Sequence, residues 1–198
     1  MRSAVLAGGK SSRFGGRPKG LERIGGERLL DRIVAVLETA TGTQPVLVAN
    51  DPQAASWHPD LRVVHDVMPN CGSLGGIYTA VTDGPGAVLV LAWDMPFVTP
   101  QLLAALMRDA TGFDAFLPES LGPRGVEPLC AIYGPGCASP LLMSLAAFRF
   151  EATAFHSAIR SGTMPLKSVR RFGDPNTLFF NVNEPDDLRE AERIASRL

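Results

Sequence analysis

The sequence predicts an α/β protein whose central, mostly parallel sheet lies between two layers of helices. Two observations carry that expectation. Short apolar runs alternate with segments of helical period along the first half of the chain, and strands that alternate with helices assemble into a parallel sheet covered on both faces. Ala87-Val88-Leu89-Val90-Leu91-Ala92 is moreover apolar without a break, as expected of a central strand buried on both sides.

The elements follow in order. Ala4-Val5-Leu6 reads as the first strand, and a helical pattern runs over 29–38. Val46-Leu47-Val48 and Leu61-Arg62-Val63-Val64 read as the second and third strands, with a helix over 74–81 between the third and the central run. A helix over 100–108 follows, with Thr99 placed to cap it and Pro100 suited to its first turn. The second half is less regular. Ala115-Phe116-Leu117 and Leu129-Cys130-Ala131-Ile132-Tyr133 read as strands, 140–147 and 153–160 as helices, Leu178-Phe179-Phe180 as a last short strand, and 185–198 as a closing amphipathic helix. No repeat and no long linker divides the 198 residues, so one domain over 1–198 is expected.

Composition bounds the function. The chain is 45% apolar and 20% charged, with a formal net charge of −1. That balance argues against a general nucleic-acid surface or a polybasic membrane anchor. Basic residues cluster at Arg13, Arg17 and Lys19 and again at Lys167, Arg170 and Arg171, which suits small anionic ligands. No apolar run approaches the ~20 residues needed to cross a bilayer, and the chain starts directly with a strand, so a soluble, cytoplasmic protein is expected. Cys71, Cys130 and Cys137 are odd in number and include no C-x-x-C pair, which speaks against a zinc site or a disulfide framework.

Four segments carry chemistry. Leu6-Ala7-Gly8-Gly9-Lys10-Ser11-Ser12-Arg13-Phe14-Gly15-Gly16-Arg17-Pro18-Lys19 leaves the first strand as a glycine-dense, cationic loop. Backbone amides around Gly8 and Gly9 can approach phosphate oxygens there, with Lys10, Arg13 and Lys19 around a triphosphate. The loop has neither the ending of a P-loop nor the glycine spacing of G-x-G-x-x-G. Asp94 follows the central strand, at the sheet edge where α/β proteins bind ligands, and offers a hard oxygen for Mg²⁺; it could equally cap the turn before Pro96. Asn181 and Asn183 alternate after the last predicted strand and can point both amides one way, toward a metal-linked phosphate or substrate, or serve as turn and cap residues. Asp66 through Gly76, including Gly72 and Leu74, forms a second glycine-rich junction. Asp66 there can accept from guanine N1–H and the exocyclic amine, although tight helix packing also explains the glycines. His58, His65 and His156 have no metal-ligand spacing, and no serine has a histidine partner for nucleophilic catalysis.

In order and spacing, these segments resemble the molybdenum cofactor guanylyltransferases, the MobA family of the nucleotidyltransferase superfamily. The shared pattern is Leu6-Ala7-Gly8-Gly9-Lys10-Ser11-Ser12-Arg13-Phe14-Gly15, then Lys19, Gly72-Ser73-Leu74-Gly75-Gly76, Asp94-Met95-Pro96 and Asn181-Val182-Asn183. The resemblance implies a three-layer Rossmann-like nucleotidyltransferase fold. It implies GTP held by Leu6, Ala7, Gly8, Gly9, Asn50, Asp66, Gly72, Leu74 and Asp94, with Lys19 on the phosphates. Arg13, Lys19 and Asp94 would act in catalysis, Asp94 holding Mg²⁺. The terminal phosphate of molybdopterin would attack and pyrophosphate would leave. Transient contact with other cofactor-biosynthesis or molybdoenzyme-maturation proteins is also implied, with no nucleic-acid or membrane partner. Two positions depart from the pattern: Pro18 stands where an acidic residue is usual, as in relatives that use CTP or UTP, and Trp93 stands where a small residue or cysteine is common. A cytidylyltransferase on the same fold, and a nucleotide-binding protein without catalysis, are the alternatives. Arg124, Lys167 and Arg170 are candidates for the pterin phosphate.

Overall fold

Seven strands form the central sheet of the protein, for which a computed structural model describes residues 1–8 and 18–197. They are β1 (Arg2–Leu6), β4 (Val46–Val48), β5 (Val63–Val64), β6 (Val88–Ala92), β7 (Ala115–Pro118), β8 (Cys130–Tyr133) and β9 (Ser161–Met164); β2 (Arg23–Ile24) and β3 (Glu27–Arg28) make a separate small hairpin. The order is β5-β4-β1-β6-β8-β7-β9. All neighbours pair in parallel except β8, which runs against both β6 and β7. That reversal brings the start of β8 to the edge where the parallel strands end.

Alternation along the strands builds the two cores. Val5, Leu89 and Leu91 pack on one face with α1 (Leu29–Thr41) and α3 (Pro100–Asp109), whereas Ala4, Leu6, Val88 and Val90 pack on the other with α2 (Gly72–Thr82) and α4 (Ala138–Ala146). The result is the expected three-layer arrangement with a mostly parallel sheet. α3 starts as its sequence reads: Thr99 Oγ1 accepts from Leu102 N at 3.3 Å, with Pro100 in the first turn. The short helices α5 (Leu166–Val169) and α6 (Pro175–Leu178) precede α7 (Pro185–Ala195), whose Ala191 shares a small third cluster with Ile24, Leu29, Phe97 and Val182.

Three local expectations are corrected, and two elements were not expected. The third strand is only Val63–Val64. The segment 153–160 is not a helix but a 3-10 turn at His156–Ala158 leading into β9. β9 escaped notice because an edge strand has little apolar pattern; only Met164 of its four residues is buried. Leu178-Phe179-Phe180 is not a strand: Asp174 accepts from Asn176 N at 3.3 Å and Pro175 occupies the first turn, a helix start that ends at Leu178. The β2–β3 hairpin, turned by Gly25 and Gly26 at φ +59° and +82°, was also unforeseen.

Candidate active site

Backbone pairing at the end of the sheet sets the site. Ala7 N donates to Val48 O at 2.9 Å and Trp93 N to Leu6 O at 3.2 Å, so the exits of β1, β4 and β6 lie side by side. Ala92 N donates to Leu129 O at 2.8 Å, which adds the entrance of β8. Together with the start of α2 these exits enclose a cavity of about 620 Å³, a size suited to a small organic ligand. Its lining includes Leu6, Ala7, Gly8, Asn50, Asp66, Gly72 and Asp94, all foreseen from the sequence.

One group of polar residues gathers around Asp94. Lys19 Nζ lies 2.5 Å from Asp94 Oδ2 and donates to Asn183 Oδ1 at 3.1 Å, although the lysine is 75 and 164 residues away from these partners. Asp94 is only 8% exposed, and its Oδ1 is buried with no hydrogen-bond partner among the described residues. The carbonyl of Asp94 accepts from Val182 N at 2.9 Å, stitching the C-terminal segment to the end of β6. Asn183 is oriented by α7: its N–H and that of Glu184 both donate to Asp187 Oδ2, at 2.8 and 2.9 Å. Glu184, not Asn183, is the cap residue of that helix. Asn181 behaves differently from Asn183, since its Nδ2 donates to Phe179 O at 2.8 Å.

A second group is built on Asn50 and Asp66. Asn50 Nδ2 donates to Asp66 Oδ2 and Asp66 N donates to Asn50 Oδ1, each at 2.8 Å, so the two residues fix one another. Asp66 Oδ1 is left buried with no hydrogen-bond partner among the described residues. Burial pushes the Asp66 carboxyl above the ordinary aspartate range, against hydrogen bonds from Asn50 and Thr79 that pull it down.

Several placements differ from the sequence reading. Leu74 is fully buried in the α2 core and does not line the cavity, because the apolar face of α2 points it into the sheet. Gly9, Lys10, Arg13 and Arg17 lie outside the described residues. Arg124, Lys167 and Arg170 are exposed and do not line the cavity; the last two are on α5, beyond the edge strand β9. Trp57 and Trp93, neither proposed as a site residue, stack in the cavity wall with ring centroids 5.3 Å apart. Glu127 was missed as well. It precedes β8, its Oε1 accepts from Leu129 N at 3.1 Å, and burial, reinforced by the negative charge of Asp94, raises its pKa against the pull of that N–H and of Arg124. The only sequence signal for it was its place next to a strand entrance.

A carboxylate with a free oxygen, a lysine beside it and a nucleotide-sized cavity at the carboxyl edge of such a sheet meet the needs of nucleotidyl transfer, and the fold with this site defines an α/β nucleotidyltransferase. The comparisons with known proteins agree. Residues 3–160 match the family described as MobA-like NTP transferase domain. The chain is 32% identical to a probable molybdenum cofactor guanylyltransferase of Pelotomaculum thermopropionicum, over 96% of this chain and 91% of that one. It is 36% identical to a protein of the same description from Chloroflexus aggregans, over 96% and 92% of the two chains. Among solved structures, molybdopterin-guanine dinucleotide biosynthesis protein A from Archaeoglobus fulgidus superposes with a TM-score of 0.83 at 30% identity, covering all of both chains. The chain belongs to the MobA-like NTP transferase family.

Proposed function

We propose that the protein transfers GMP from GTP to the terminal phosphate of molybdopterin, releasing pyrophosphate and leaving the guanine dinucleotide form of the cofactor. The observation that carries this reading is a pair of buried carboxylate oxygens, Asp66 Oδ1 and Asp94 Oδ1, that line one cavity and have no hydrogen-bond partner among the described residues. Asp66 is held by Asn50 and offers an acceptor to the N1–H and exocyclic amine that distinguish guanine. The names of the relatives point to the same base and acceptor.

The residues at Asp94 fit a magnesium ion. Among the described residues no group of three or more acidic, histidine or cysteine side chains could form a protein-only cage. A single carboxylate with one unpartnered oxygen, completed by substrate phosphates and water, is how Mg²⁺ is commonly held. Asp94 would bind it, and the bound ion would neutralise charge on the α-phosphate and the departing pyrophosphate. Lys19 adds a cation with three donors, enough to keep Asp94 and reach a phosphate oxygen together. The Gly8 amide, just past the end of β1, is placed to bind phosphate, and the acceptor phosphate displaces pyrophosphate in line, without a covalent protein intermediate. The reaction belongs in the cytoplasm, where GTP is available.

Thermal unfolding with each nucleoside triphosphate and Mg²⁺ tests the base. A ligand that binds only the native state at 100 times its Kd stabilises by about 2.7 kcal/mol, which raises the Tm of a chain this size by roughly 5–11 °C. GTP is expected to give the largest rise, and GTP with molybdopterin to release pyrophosphate. A larger rise with CTP would transfer the assignment to a cytidylyltransferase. Binding without pyrophosphate release would leave a nucleotide-binding protein.

A further inference from the structure

Trp93 and Gly20 adjoin the two charged residues of the site in sequence: Lys19-Gly20 on one segment and Trp93-Asp94 on the other. They also meet in space. A Cβ placed on Gly20 would lie 2.2 Å from Cε3, 2.7 Å from Cζ3 and 2.9 Å from Cδ2 of Trp93, so the glycine backbone rests directly on the indole. The ring has little freedom to yield. Trp93 is 2% exposed, its backbone N–H is tied to Leu6 O, and Trp57 stacks on it. Trp57 is in turn anchored, because Arg28 donates to its carbonyl at 2.9 Å while holding Asp31 with two further hydrogen bonds. The Lys19–Leu21 turn is also constrained, by Leu21 N to Pro18 O and Glu22 N to Lys19 O, each at 3.0 Å.

We infer that the Trp93–Gly20 contact is a positioning device that sets Lys19 Nζ against Asp94 before any ligand binds. Neither residue touches the reacting atoms in this assignment. The indole provides a flat stop, the missing side chain lets the turn approach it, and the lysine that follows from that turn is delivered to the carboxylate. The indole also carries a cost, since its Nε1–H is buried without a partner among the described residues and an unpaired buried donor is destabilising. The stop requires both partners at once: a large ring at 93 tolerates only glycine at 20, and a small residue at 93 removes the stop.

The test is a double-mutant cycle with Gly20→Ala, Trp93→Cys and the combination. The first readout is reductive methylation of Lys19 followed by peptide mass spectrometry, with exposed Lys167 as internal standard, in protein held well below its measured Tm. In Gly20→Ala the Lys19 rate is expected to rise severalfold over wild type, because the lysine is displaced from Asp94. The second readout is guanylyl transfer, which rests on the function proposed above: Gly20→Ala should lower kcat by about 100-fold, the order expected for misplacement by an ångström, with a smaller change in KM for GTP. In the Trp93→Cys background the same alanine should change either readout by about threefold or less. Unchanged Lys19 methylation in Gly20→Ala, including the case where only Tm falls, would overturn the inference, as would equal penalties in the two backgrounds. Methylation needs no turnover, so a wild-type protein that transfers no guanylyl group would sink the functional reading alone.

Discussion

At the scale of single residues, the two unpartnered oxygens set stability against function. Asp66 occupies a half-buried place, and burial raises its folded-state pKa above the unfolded one. The contribution to stability from its protonated form is therefore complete below about pH 4, the ordinary aspartate range, and is lost as pH rises through the raised folded value. Asp66→Asn removes that dependence. The variant should melt up to about 2 °C above wild type at pH 7, the gap should close on acidification to pH 4, and the preference for GTP over other triphosphates should shrink. Thermal scans over a pH series check all three. Such residues were legible from the sequence to the extent that a motif marks them. Asp66, Asp94 and the glycines follow strands and announce a ligand, whereas the pairing of Lys19 with Asp94 and Asn183 spans most of the chain and has no local signal. Glu127 and the tryptophan stack escaped for the same reason: their meaning comes from cross-strand neighbours.

At the scale of elements, α7 acts on the site through its first turn. Asp187 Oδ2 accepts from the N–H groups of Asn183 and Glu184, and Asn183 in turn meets Lys19. Asp187→Ala should lower stability by about 1 kcal/mol, the usual size of a lost helix cap. Turnover should fall by about tenfold as Asn183 loses its orientation, while Asp187→Asn, which keeps an acceptor, should remain near wild type in both. Denaturant melts and steady-state rates decide this. Central strands and capped helices were readable because burial on both faces leaves a continuous apolar run, and because a cap such as Thr99-Pro100 is a local chemical event. The direction of β8, the edge strand β9 and the Asp174-Pro175 helix start were not. Antiparallel placement follows from the packing of distant segments, and an edge strand buried on so few residues resembles a loop.

At the scale of the whole molecule, one cavity collects residues from segments scattered between Leu6 and Leu129, and the C-terminal segment is tied to Asp94 and Lys19 through Val182 and Asn183. Sheet pairing and two cores on opposite faces hold these exits in register. The stacked indoles have one more consequence. Trp57 and Trp93 are the two tryptophans of the chain, so all of its tryptophan emission originates in the wall of that cavity. Both are nearly inaccessible to water, at 4% and 2% exposure, and a blue-shifted emission is expected from them. A purine entering the cavity should quench that light in a saturable titration that needs no label. Emission left unchanged by a nucleotide that raises Tm would place the nucleotide away from the indoles. The wall that shapes the site is thus also its optical gauge.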